Sequence, residues 1–114
     1  MPHIILEYSS ALEDKLDLPE ILESLHNTLA EQGVDKARIK TRGVKLDHAV
    51  VDDQGTDGLM AHATLLLLEG RDVSTKQQYG QALHGVMKDK IISAAPECKL
   101  TLEVRDMEKD TYIL

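Results

Sequence analysis

Residues 59–68 read Leu-Met-Ala-His-Ala-Thr-Leu-Leu-Leu-Leu, and this run decides how the chain must fold. Apolar residues fall on both faces of the extended segment, which is typical of a buried central strand rather than an edge strand. Gly70 and Arg71 follow it as a turn. A central strand needs a neighbour on each side, so we predict a sheet built around residues 59–68.

Two amphipathic segments predict the helices that cover this sheet. Asp17-Leu18-Pro19-Glu20 has the spacing of a capping box, and Gly33 is placed to end the first helix. Ser74-Thr75-Lys76-Gln77 offers a second capping box, and Pro96 ends the helix that follows it. In each helix the apolar positions form one stripe: Leu18, Ile21, Leu22, Leu25 and Leu29 in the first, and Tyr79, Ala82, Leu83, Val86, Met87 and Ile91 in the second.

Alternation of apolar and polar residues indicates three further strands, in residues 3–8, 39–46 and 100–104. In the second of these, Lys40 and Arg42 share one side of the strand, but that side becomes apolar beyond Gly43. We therefore predict a bulge or bend at Gly43.

The element order predicts an α+β fold in one domain spanning residues 1–114. An exposed turn at residues 50–58 separates two strand-helix-strand units, each of which should give parallel neighbours through a right-handed crossover. The resulting β-α-β-β-α-β chain forms a four-stranded sheet with two helices on one face. The other face and the strand edges lack cover, so we expect a closed homo-oligomer.

Composition excludes several classes of partner. The formal net charge of -7 argues against nucleic acid and anionic membranes. No apolar stretch reaches the ~18 residues of a spanning helix, and the start does not resemble a signal peptide. The single Cys98 suits a reducing compartment, so we expect a cytoplasmic protein.

No metal is expected, because the histidines are scattered: His3, His26, His48, His62 and His84. His62 is interpreted as a hydrogen-bonded core or interface residue.

Pro2 directly follows Met1, so removal of one residue would expose a secondary amine. Only at a chain terminus is a proline nitrogen basic. The apolar run after His3 would carry that amine into the interior, where burial and a nearby guanidinium both lower its pKa. An amine that titrates near neutral pH is suited to proton transfer. The alternative is that the Met-Pro start is incidental.

Several motifs together resemble the 5-carboxymethyl-2-hydroxymuconate isomerase family of the tautomerase superfamily, over about residues 2–95. They are Met1-Pro2-His3-Ile4, Glu7, Leu18-Pro19, Ile39-Lys40-Thr41-Arg42, His62-Ala63-Thr64-Leu65, and Gly70-Arg71 with Gln77-Gln78. The resemblance implies a homotrimer, an amino-terminal proline as catalytic base, and no cofactor. Lys40 stands where the family has arginine, and lysine lacks the planar two-pronged grip on a carboxylate. Arg42 is a candidate to replace that contact.

The substrates implied by the resemblance are di- or tricarboxylates, which a chain of this charge repels unless cations gather locally. Lys40, Arg42 and Arg71 are the candidate substrate-binding residues, with exposed surface cations as the alternative for each. We expect a keto-enol isomerase acting on 5-carboxymethyl-2-hydroxymuconate in aromatic catabolism, with Pro2 as the base. The rivals are an activity on a smaller 2-hydroxydienoate or enolpyruvate, and a non-catalytic trimeric binding protein.

Overall fold

A computed structural model describes residues 2–114, which form a four-stranded sheet with two helices packed on one face. The predicted β-α-β-β-α-β order is confirmed. The strands are β1 (His3–Ser9), β2 (Lys40–Leu46), β3 (Met60–Leu68) and β4 (Lys99–Met107), and the helices are α1 (Leu18–Glu31) and α2 (Val73–Met87).

The strands lie in the order β2-β1-β3-β4, so the apolar run forms a central strand as predicted. β1 pairs with β2 in parallel, and β3 pairs with β4 in parallel, because a helix crosses over between the members of each pair. β1 and β3 are antiparallel. This pairing places the start of β1 beside the end of β3.

The core lies between the helices and the sheet. It is built from alternate strand residues and from the apolar stripe of each helix, including Ile4, Leu6, Ala63, Leu65, Leu67, Leu25, Leu29, Leu83 and Met87, all fully buried. The opposite side of the sheet, which we call the open face, carries His3, Ile5, Glu7, Lys40, Arg42, Val44, Leu46, Met60, His62, Thr64, Leu66, Leu68, Lys99, Thr101, Glu103, Arg105 and Met107. No helix of residues 2–114 has both the length and the apolar character needed to cross a membrane.

The first helix begins and ends where the sequence predicts. The side chain of Asp17 accepts a hydrogen bond from the amide of Glu20, with 3.2 Å between the two atoms. Gly33, which follows the helix, has a φ of 103°, a conformation that strongly favours glycine.

The predicted bulge at Gly43 is wrong. The register between β1 and β2 runs without interruption from His3 opposite Lys40 to Ser9 opposite Leu46. A β-carbon at Gly43 would lie 3.3 Å from atoms of both Tyr8 and Leu22. Close packing of these two side chains therefore favours glycine here, and the change of polarity along the open face needs no bend.

The predicted capping box at Ser74 is also wrong. Helix α2 begins at Val73, and the carboxylate of Asp72 accepts a hydrogen bond from the amide of Thr75 at 2.8 Å. Asp72 outcompetes Ser74 because the turn at Gly70 leaves it in extended backbone, the conformation of a capping residue. The α-helix itself ends at Met87, and a π-helical turn at Lys88–Ile92 continues it toward Pro96.

This assignment of the cap predicts a difference between two neighbouring substitutions. Asp72→Ala should lower the free energy of unfolding by about 1 kcal/mol, because the amide of Thr75 loses its partner. Ser74→Ala should change it by less than about 0.5 kcal/mol, as expected for an exposed residue with no structural role. Urea unfolding of both variants measures the difference, and an equal loss in both would contradict the assignment.

Candidate active site

A cavity of about 170 Å³ opens where β1 begins and β3 ends. It is lined by Pro2, Val34, Asp35, Arg38, Leu68 and Arg71. A larger groove of about 590 Å³ lies between α2 and β4, but it contains none of the residues predicted for the site. The smaller cavity is therefore the candidate active site.

Pro2 is buried at one end of this cavity. Its carbonyl accepts a hydrogen bond from the amide of Lys40 at 3.0 Å, which ties the start of β1 to the start of β2. The predicted burial of Pro2 is confirmed, and this hydrogen bond fixes its carbonyl to the adjacent strand.

Arg71 lines the same cavity from the turn after β3. Gly70 has a φ of 125°, so the chain can leave the strand sharply and bring Arg71 back toward Pro2. The guanidinium carbon lies 5.9 Å from the centre of the Tyr79 ring, within the range of a cation–π interaction. Arg71 therefore presents a half-buried positive charge beside the Tyr79 ring.

Arg38 also lines the cavity, with a side chain that is 62% exposed, and the sequence analysis missed it. It lies in the short 3-10 turn at Lys36–Arg38, which is capped by the carboxylate of Asp35. The same carboxylate lies 3.5 Å from Nε of Arg38. In sequence these residues are typical of an exposed charged loop, and the only usable signal was their position just before the strand that begins beside Pro2.

Lys40 and Arg42 do not line the cavity within one chain. Both are exposed residues of the open face. The Nη1 group of Arg42 lies 3.0 Å from Nδ1 of His3. The fold therefore brings together Pro2 and Arg71 of the predicted residues and leaves Lys40 and Arg42 outside.

The segment after β4 borders the candidate site. The amide of Lys109 donates to the carboxylate of Glu69 at 2.9 Å, directly before the turn that carries Arg71. Three residues later, the hydroxyl of Tyr112 lies 2.8 Å from Nε2 of His3, and the two rings meet edge to face at 5.8 Å. Residues 108–112 thus run from the end of β3 to the start of β1.

Other candidates for chemistry lie outside the cavity. Nδ1 of His62 is 2.7 Å from the hydroxyl of Thr101 on the open face, so His62 is hydrogen-bonded as predicted. Cys98 is buried, and burial raises the pKa of its thiol to about 11, which leaves it unreactive. Across residues 2–114, no three histidine, cysteine, aspartate or glutamate side chains are grouped as metal ligands.

The sequence matches a known family over nearly its whole length. The family model described as 5-carboxymethyl-2-hydroxymuconate isomerase covers residues 2–113. A relative from Escherichia coli, 5-carboxymethyl-2-hydroxymuconate Delta-isomerase, is 33% identical over 89 residues, which are 77% of this chain and 71% of the relative.

Solved structures share the fold. The crystal structure of a 5-carboxymethyl-2-hydroxymuconate isomerase from Deinococcus radiodurans R1 has a TM-score of 0.88 at 24% identity, over 99% of this chain and 87% of that one. A structure described as the Q0 fused 4-OT wild type symmetric trimer has a TM-score of 0.72 at 15% identity, over 98% and 90% of the two chains.

Proposed function

Because the chain belongs to the 5-carboxymethyl-2-hydroxymuconate isomerase family, we propose that it moves a proton within 5-carboxymethyl-2-hydroxymuconate, with Pro2 as the base. The observation that carries this proposal is the single cavity that holds both Pro2 and Arg71. The proline nitrogen supplies the base, and the guanidinium supplies the charge that a carboxylate substrate needs.

Pro2 can act as base only after Met1 is removed, since its nitrogen is otherwise an amide. The free amine would take the proton from the 2-hydroxyl group, or from an allylic carbon, and return it to the far end of the same conjugated system. The double bonds shift between these two positions, and no electrons are gained or lost. Burial of Pro2 and the guanidinium of Arg71 favour the neutral amine that this step requires, while the carboxylate of Asp35, which also lines the cavity, is paired with Arg38.

Arg71 and Arg38 divide the charges of the substrate between them in this proposal. A guanidinium binds a carboxylate through two parallel hydrogen bonds and also stabilises the negative charge that develops on an enolate oxygen. Arg71 is the better placed for the second role, because contact with Tyr79 fixes its position. Val34 and Leu68 form the apolar wall against which the conjugated chain would lie.

The cavity formed by one chain is too small to hold the whole substrate. Binding pockets for small molecules have volumes of roughly 300–1,000 Å³, and this one has about 170 Å³. We propose that the protein is a homotrimer in which a neighbouring copy completes the site. Apolar side chains on the open face, among them Ile5 and Leu66, support this assembly, as does the position of β2 and β4 at the sheet edges. The open face also carries Lys40, which this assembly would make available to a neighbouring copy's cavity, and Arg42, which is hydrogen-bonded to His3.

We place the proposed reaction in the cytoplasm, as a step in the breakdown of aromatic compounds. A single cysteine, Cys98, allows no internal disulfide, which suits a reducing compartment. The substrate itself, an unsaturated acid with several carboxylates, is the class of product that ring opening of an aromatic acid supplies.

The test of the proposed function uses protein that lacks Met1. We expect it to convert 5-carboxymethyl-2-hydroxymuconate, followed by the change in dienol absorbance, and to add one solvent deuterium to a carbon of the product in D2O. A higher kcat/KM for a smaller 2-hydroxydienoate would replace the proposed substrate with its rival. Loss of both reactions in protein shown to be folded would overturn the proposal.

The trimer is tested by sedimentation of the same protein at micromolar concentration. We expect one species with three times the mass of the chain, because the open face and the edges of β2 and β4 need cover. A stable monomer under these conditions would contradict the assembly and the shared active site together.

A further inference from the structure

His3, the residue after Pro2, lies at the centre of a hydrogen-bonded chain of three side chains. Nη1 of Arg42 lies 3.0 Å from Nδ1 of His3, and Nε2 of His3 lies 2.8 Å from the hydroxyl oxygen of Tyr112. We call Arg42, His3 and Tyr112 the His3 bridge. It joins β2, β1 and the segment after β4, three parts of the chain that are far apart in sequence.

The chemistry of the His3 bridge permits one protonation state of His3. A guanidinium has only donors, so Nδ1 must accept from Arg42 and cannot carry a proton. Nε2 then carries the single ring proton and donates it to the oxygen of Tyr112. Protonation of Nδ1 would set an N–H group against the donor of Arg42 and break the chain.

The surroundings of His3 favour the same neutral state. Burial lowers its pKa below the ordinary value, and the positive charges of Arg42 and Lys40 add to this effect. Leu66 of β3, which lies opposite His3 in the sheet, contributes no charge. The bridge is therefore intact at neutral pH and opens as the solution becomes acidic.

We propose that His3 is a positioning residue, which through Arg42 and Tyr112 holds Pro2 at the orientation needed for proton transfer. The proposal rests on the proposed function of the cavity. Residues 108–112 are fixed at one end beside the turn of Arg71, through Glu69, and at the other end to the neighbour of Pro2. The His3 bridge itself lies outside the cavity, but residues 108–112 connect it to the turn that carries Arg71, and small errors in the position of a catalytic base cost rate.

Two variants test this role through different atoms. Tyr112→Phe keeps the ring and removes the acceptor, while His3→Gln replaces the rigid two-nitrogen ring that joins Arg42 to Tyr112 with a flexible amide that does not titrate. Both should lower kcat about tenfold and change KM by less than about twofold, because the contact acts on the base and not on substrate binding. Tyr8→Phe is the matched control, since Tyr8 lies at the opposite end of β1 and packs on the helix side.

A second measurement does not depend on turnover. The amine of Pro2, labelled with 15N in protein lacking Met1, is titrated by NMR in the wild type and in each variant. Loosening the bridge should hydrate the amine and raise its pKa in Tyr112→Phe, with no change in Tyr8→Phe. If the wild type converted neither 5-carboxymethyl-2-hydroxymuconate nor the smaller 2-hydroxydienoate, the proposed function would fail. This titration would still decide whether His3 affects Pro2.

The bridge also predicts how stability depends on pH. Between the lowered pKa of folded His3 and the unfolded value near 6.5, the unfolded chain binds more protons. The stability that neutral His3 contributes to the folded state is therefore complete above about pH 6.5 and is lost as the pH falls below it. The wild type should lose more stability than His3→Gln over this acid range. The positioning role is rejected if Tyr112→Phe matches the wild type in both kcat and the titration of Pro2.

Discussion

Protein that retains one residue ahead of Pro2 is expected to lose about 100- to 10,000-fold in kcat, the contribution of a positioned general base. An attached residue turns the proline nitrogen into an amide, which has neither a proton nor basicity. The cavity, Arg38 and Arg71 are unchanged, so substrate binding should persist. Mass spectrometry confirms the state of the terminus, and steady-state kinetics on 5-carboxymethyl-2-hydroxymuconate gives the loss.

The control for this experiment restores the terminus in the same preparation. An amino-terminal extension that a protease removes directly before Pro2 should be inactive before cleavage and active after it. Full activity of the uncleaved protein, with its extension verified by mass, would contradict a role for Pro2 as base.

Arg71→Ala is expected to lower kcat/KM about 30- to 150-fold, equivalent to about 2–3 kcal/mol of transition-state binding. The substitution removes a half-buried guanidinium that lines the cavity with Pro2. If Arg71 only holds the substrate, KM rises alone. If it also stabilises the developing oxyanion, kcat falls as well.

Two further substitutions separate charge from geometry at this position. Arg71→Lys keeps the charge but loses the two-pronged contact, so it should recover only part of the activity. Lys88→Ala removes one exposed positive charge at the far end of α2 and should leave kcat/KM unchanged. Unchanged kinetics in Arg71→Ala would reject its assignment to the site, and equal losses in Lys88→Ala would indicate an effect of net charge.

The errors of sequence analysis occurred where several local patterns compete or where packing decides. Ser74 and Asp72 both precede a helical stripe, and only the backbone conformation after Gly70 selects Asp72 as the cap. The change of polarity at Gly43 suggests a bend, yet the strand is regular there and the nearby side chains of Tyr8 and Leu22 favour a small residue. Residue spacing alone identifies neither the capping residue of α2 nor the reason for glycine at position 43.

The sequence alone determined the elements, because strand and helix periodicities are properties of the local backbone. The apolar run at residues 59–68 was sufficient to predict the central strand, and Asp17 with Gly33 to bound α1. Tertiary structure decided which charges meet Pro2. The antiparallel pairing of β1 with β3 brings Arg71 to the cavity, and parallel β2 leaves Arg42 on the open face. The contact of His3 with Tyr112 joins residues 109 positions apart, a distance that no local pattern encodes.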